Sequence, residues 1–227
     1  MEFKNPPPPE KINLKAKKHK AFTLAEVLIT LVIIGIVAAI TVPSILQSTE
    51  RQETVSKLKK AYSVLQQATI KIATDEGVPV GDFSLMSNDE FFDKFANTVN
   101  TTKLCKRASG CFSNKPLKAL NGNDWSTYNR ENSLVTADGI AFGWSKDYCA
   151  SKGLSQEDTQ NCIGRFIVDL NGDAPPNRFG YDIFFFQMVK GKGAVPAGTA
   201  DSSDCRKRRS GVTCAAVVLS TGEVKYQ

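Results

Sequence analysis

The stretch FTLAEVLITLVIIGIVAAITVPSIL, residues 22–46, decides the architecture of this chain. Its only charge is Glu26, and its only helix breakers are Gly35 and Pro43. As a helix it spans roughly 37 Å, enough to cross a hydrocarbon core of ~30 Å. The pattern continues past residue 46. Val55, Leu58, Tyr62, Leu65, Thr69 and Ile72 recur at alternating three- and four-residue steps, while Arg51, Lys57, Lys59, Lys60 and Lys71 occupy other faces. That is an amphipathic continuation, predicted to stop near Asp75-Glu76-Gly77-Val78-Pro79. The whole would be one helix of roughly 80 Å, apolar all round at first and sticky on one face later. A globular domain has to cover that face.

Upstream, residues 1–21 are polar, basic and broken by Pro6-Pro7-Pro8-Pro9. They hold six Lys against Glu2 and Glu10, so of the chain's formal +6 only +2 belongs to the remainder. A cationic flank before an apolar run is a topology signal, and the overall charge is no argument for nucleic-acid binding. The single histidine, His19, lies in this flank. Without the flank there is no imidazole for a Ser-His or Cys-His pair, and no acid pair stands out, so an enzyme is not the expectation.

Downstream, residues 77–227 read as a mixed α and β head. Asp89–Phe95 has helical spacing. Leu134-Val135-Thr136 and Ile140-Ala141-Phe142, around Asp138-Gly139, predict a hairpin. Arg165–Leu170 and Asp182–Val189 predict strands around a Gly/Pro/Asn-rich loop, with Phe184-Phe185-Phe186 buried on both faces. Cys214–Leu219 and Glu223–Tyr226, joined at Ser220-Thr221-Gly222, predict a last hairpin. The expected class is α+β: a long N-terminal helix on a small antiparallel sheet. Six cysteines fall as neighbours, Cys105/Cys111, Cys149/Cys162 and Cys205/Cys214. An even count in an exported domain points to disulfides, with sequential pairing as the simplest choice; zinc is disfavoured because no C-x-x-C pair is present.

Lys20-Ala21-Phe22-Thr23-Leu24-Ala25-Glu26, followed by the apolar run, resembles the cleavage and methylation signal of type IV prepilins and type II secretion pseudopilins. An ordinary secretory signal cut after Ala38-Ala39 is the alternative. The run is long for such a signal, and the helical pattern continues through that cut. The resemblance implies a cut between Ala21 and Phe22 by a prepilin peptidase, with Ala21 standing where the family mostly has Gly. It implies N-methylation of Phe22, and it makes Glu26 the early glutamate of assembly and Gly35 and Pro43 the points where the helix can loosen. It further implies a leader at 1–21, a membrane and polymerisation helix at 22–46, its amphipathic continuation at 47–76 and a head at 77–227. Such a subunit sits in the inner membrane with its head outside the cytoplasm and joins other pilins or pseudopilins in a pilus or pseudopilus.

Two head motifs carry chemistry of their own. Asp169, Asn171 and Asp173 alternate around Gly172, with Asp182 placed to close the set, and this echoes the opening of Ca²⁺ loops. The competing reading is an Asn-Gly turn whose carboxylates hold loop backbone. Arg206, Lys207, Arg208 and Arg209 lie between Cys205 and Cys214. They would put four cations on one loop, as a competence pilin gripping DNA would need, or simply form a solvated loop.

Overall fold

The computed structural model describes residues 22–106, 110–112, 116–125, 132–146, 148–149, 155–206 and 208–224. Ala21 and the rest of the leader, Lys207 and Tyr226 lie outside them. In chain order the elements are α1 (Leu24–Glu76), α2 (Asn88–Thr98), β1 (Thr101–Lys106), β2 (Leu117–Lys118), β3 (Asp124–Trp125), β4 (Asn132–Thr136) and β5 (Ala141–Lys146). There follow α3 (Gln156–Gln160), β6 (Cys162–Asp169), β7 (Ile183–Val189), β8 (Gly193–Pro196) and α4 (Cys214–Thr221). The chain divides into two compact units, and the boundary between Leu46 and Gln47 falls inside α1.

In the first unit the helix is apolar on every side, and its large apolar side chains are exposed. Leu28, Ile34 and Ile40 are 54%, 62% and 73% exposed. Among the described residues this is the helix long and apolar enough to cross a membrane. Pro43 lies within it. Its ring removes one N–H, leaving the Ala39 carbonyl without its usual donor four residues on. Thr41 and Ser44 flank the proline and donate their hydroxyls to the Val37 and Thr41 carbonyls.

The second unit is built on a six-stranded antiparallel sheet, in the order β1-β4-β5-β6-β7-β8. Both faces are covered. On one, Leu58, Leu65 and Ile72 of α1 and Phe91 and Phe95 of α2 bury against Trp144, Phe166, Phe184 and Phe186. Tyr62 stacks on Phe186 at 5.8 Å between ring centroids. On the other, Ile167, Ile183 and Phe185 lie under Leu117 of β2 and Phe112, Phe179 and Val212 from the loops. Successive strand side chains point to opposite faces, so Phe184-Phe185-Phe186 needs a core on each side. The amphipathic stripe of α1 and the α+β class are as the residue spacing predicts. Gln66 on α1 also donates its amide N–H to the Ala194 carbonyl at 3.0 Å, tying the helix to the edge strand β8.

The last predicted hairpin is a correction. Cys214–Thr221 is the helix α4, which buries Cys214, Ala215 and Val218. The β-branched pair Val217-Val218 suggests a strand, but the buried positions repeat at helical steps. Gly222 adopts φ 70° and its N–H bonds the Val218 carbonyl, so it is the left-handed cap of a helix rather than a hairpin turn. The predicted β4–β5 hairpin is present, with Gly139 at φ 83° in its turn.

Three disulfides join Cys105–Cys111, Cys149–Cys162 and Cys205–Cys214, at sequence separations of 6, 13 and 9. The last ties the 199–212 loop to the first residue of α4. Replacing Cys205 and Cys214 together by serine is expected to lower stability by ~2–3 kcal/mol, the loop-closure value for a short ring. Urea unfolding of the full chain in detergent, followed by tryptophan fluorescence, measures it. A midpoint equal to wild type would show that the surrounding packing alone holds this loop.

Candidate assembly motif and head loops

The helix start is built by two residues. Thr23 precedes the first turn of α1, and Glu26 stands three residues on. Glu26 Oε2 accepts the Thr23 backbone N–H at 2.9 Å and its hydroxyl at 2.8 Å, while the Glu26 N–H donates to Thr23 Oγ1 at 3.2 Å. This is a reciprocal capping box, which satisfies donors that every helix start leaves open. Oε1 carries none of these bonds. Phe22, just ahead of the cap, is 86% exposed. A carboxylate therefore sits one turn from the position where a cut before Phe22 would create an amine, at the end where the helix dipole is positive. The box has the Thr-x-x-Glu spacing of a helix N-terminus, a signal that reading Glu26 as a charge alone passes over.

The loop between β6 and β7 folds back on Asp182. The Asp182 carboxylate accepts the backbone N–H groups of Asn177 and Arg178, both at 2.7 Å. Asp169 Oδ1 accepts the Asn171 N–H at 3.2 Å, and the Asn171 amide donates to the Pro175 carbonyl at 3.2 Å. Asn177 holds φ 50°, a left-handed conformation that asparagine tolerates. Asp169 is fully buried; burial and the nearby Asp182 charge push its carboxyl well above the usual range. Burial likewise raises Asp182, partly offset by the Arg178 and Asn177 N–H bonds. Asp173 is exposed. The structure thus gathers Asp169, Asn171 and Asp182 and leaves Asp173 at the surface. Among the described residues, no three Asp, Glu, His or Cys side chains gather closely enough to hold a metal ion by themselves.

On the third candidate, Arg206, Arg208 and Arg209 are exposed on the disulfide-closed loop. Asp204, just ahead of Cys205, is engaged by the Ser210 hydroxyl at 2.7 Å.

A family model for the prokaryotic N-terminal methylation motif matches residues 16–42. The chain carries a prepilin signal. Comparison with curated proteins and with solved structures returns no match. The matched segment spans the last residues of the basic flank, Ala21, Phe22, the capping box and most of the exposed apolar helix. It is the signal of a type IV pilin-like or pseudopilin subunit, a family that is structural rather than enzymatic. A prepilin signal implies processing by the prepilin peptidase and assembly with other pilins in a membrane setting.

Proposed function

We propose that this prepilin-like chain is a minor pilin or pseudopilin, a subunit of a type IV pilus or a type II secretion pseudopilus. The peptidase cuts between Ala21 and Phe22, removing residues 1–21. Residues 22–46 anchor the subunit in the inner membrane and then pack among neighbouring helices in the fibre. Residues 47–76 join this anchor to the head, 77–227, outside the cytoplasm. Gly35 and Pro43 let the helix loosen in the fibre. The observation that carries the reading is the register of the matched motif. A small residue, a capping box and a helix whose large apolar side chains are exposed follow one another without a gap. An exposed surface of that kind is stable only in lipid or against other helices.

Mass spectrometry of the N-terminal peptide, from protein extracted from membranes containing a prepilin peptidase, tests it. The expected first residue is Phe22 carrying a methyl group. A chain beginning at Ile40 would identify an ordinary secretory signal and defeat the reading.

A second reading, DNA capture by the head, draws support from the exposed Arg206, Arg208 and Arg209. Backbone charge contacts of this kind weaken steeply with salt. Retention of plasmid DNA by the full chain at low salt, lost in an Arg206→Ala/Arg208→Ala/Arg209→Ala variant, is its expected signature.

A further inference from the structure

The loop between α1 and α2 displays one leucine to solvent. Leu85 is 99% exposed, more than any other large apolar side chain among the described residues. A lone exposed leucine is ordinary on a loose loop, but this loop is braced. Phe83 and Met86, on either side, are buried in the core. Lys146 of β5 donates from Nζ to the Ser84 carbonyl at 3.0 Å and to the Met86 carbonyl. Ser84 Oγ donates to Asp82 Oδ1 at 2.7 Å, and Asp82 pairs with Lys190 at 3.3 Å. Leu85 is therefore a preformed knob, which loses little freedom when it is buried against a partner.

The same head carries a hole. A cavity of about 450 Å³ lies between α1, the end of α2 and the β4–β5 turn, with Val64, Ala68, Val99, Ile140 and Phe142 in its walls. The two lysines on its rim are answered, Lys60 by Asp138 at 2.7 Å and Lys71 by Asp75 at 2.9 Å. An anion finds no unpaired cation among these lining residues, whereas an apolar side chain meets apolar walls and a neutral rim. Knob and hole lie at opposite ends of α2. The helix starts beside the Leu85 loop, where the Asn88 side chain accepts the Lys146 N–H, and it ends at Thr98 on the cavity wall. Its 11 residues hold the two apart by roughly 16 Å, so they cannot meet within one chain.

We propose that Leu85 of one copy of this chain docks into the cavity of Val64, Ala68, Val99, Ile140 and Phe142 on a second copy. One contact then covers both features. A partner of any other kind would cover one and leave the other in water. The contact is heterologous, because two different surfaces meet. After each docking event a Leu85 remains open at one end and a cavity at the other, so the contact repeats head to tail along α2 unless its rotation closes a ring. The charges agree with this pairing: Asp82 beside the knob and both lysines beside the cavity are already paired within their own head. The inference rests on the assembly reading above and adds to it a joint between heads, separate from the packing of the apolar helices.

The test is thiol cross-linking of the full chain in membranes that contain a prepilin peptidase. The six native cysteines are paired, so Leu85→Cys and Gln67→Cys place one new thiol on the knob and one on the exposed wall of the cavity. Cysteine is itself a small apolar side chain and keeps the knob apolar. With both substitutions in one chain, mild oxidation should give a ladder of dimers, trimers and longer products on a non-reducing gel. Two single variants mixed in one membrane should stop at a dimer containing one of each. Leu85→Asp removes nothing from the core, so its melting midpoint in detergent should match wild type while its recovery in sheared fibres falls about tenfold. Absence of the ladder from chains whose first residue is methylated Phe22 overturns the head contact and leaves the proposed function standing. A ladder that stops at dimers shows a closed contact, and a Leu85→Cys adduct with a different protein names another occupant; either overturns the proposal. A chain that begins elsewhere than Phe22 defeats the proposed function alone, and the ladder still decides the head contact.

Discussion

Glu26→Ala is expected to leave cleavage and membrane insertion intact and to remove the subunit from the fibre. A cut before Phe22 would leave a cationic amine in a low-dielectric setting, where it would need a carboxylate. Four residues separate it from Glu26, ~6 Å along the helix axis. Glu26 Oε2 is occupied by the Thr23 cap while Oε1 is free of those bonds, so the side chain can cap its own helix and still meet a neighbour's amine. Alanine removes both roles. The lost cap costs ~1 kcal/mol, too little to expel a long apolar helix from a membrane. Glu26→Gln separates the two effects, because glutamine can still accept from Thr23 but carries no charge. The measurement is the fraction of processed subunit in sheared fibres. Both variants should fall at least about tenfold, which corresponds to ~1.4 kcal/mol of assembly free energy. Wild-type incorporation of Glu26→Gln would show that the charge is not what assembly uses.

A large loss of stability is expected from Gly164→Ala. A Cβ at this position would lie 2.3 Å from Trp144 Cη2 and 2.8 Å from the Ser145 carbonyl oxygen. The indole cannot retreat. It is 1% exposed and held between Phe91 and Phe166, each with its ring centroid 4.7 Å away. The backbone has little freedom either, since Gly164 pairs with Lys146 on β5 and with Met188 on β7. Overpacking of a filled core costs ~1–3 kcal/mol, and contact with backbone as well as ring puts this case at the upper end. The melting midpoint of the head should fall by about 6–12 °C. Trp144→Leu in the same chain should recover part of that loss, because the two sites are coupled through one volume. A midpoint within about 2 °C of wild type would mean that β5 and β6 can separate more easily than their pairing implies.

Much of this fold is legible in the residues because single periods govern long stretches. The stripe from Val55 to Ile72 predicts which face of α1 is buried, and Asp138-Gly139 predicts the β4–β5 turn. Elements with mixed or short signals are harder. In α4, the β-branched pair Val217-Val218 favours a strand, and tertiary burial of one helical face, together with the helix-forming Ala215-Ala216, overrides it. The edge strands β1 and β8 carry no clear alternation. Leu104 lies exposed on β1, and Gly193 and Pro196 bound β8. At the candidate sites, spacing points to Asp169, Asn171 and Asp182 but also to Asp173, which the fold leaves outside. Asn177 carries no spacing signal. Its importance comes from a left-handed backbone and from Asp182 pulling on its N–H, which only the folded loop reveals.

The three disulfides bear on how the head reaches its final state. A head exported with its N-terminal end leading presents its cysteines to the oxidising compartment in sequence order. Cys105 and Cys111 have both emerged before Cys149 appears, and Cys162 before Cys205. At each moment the correct partner is the nearest free thiol, so oxidation during translocation yields the native set without rounds of isomerisation. A head exported in this order would be fully cross-linked before it met a neighbouring subunit.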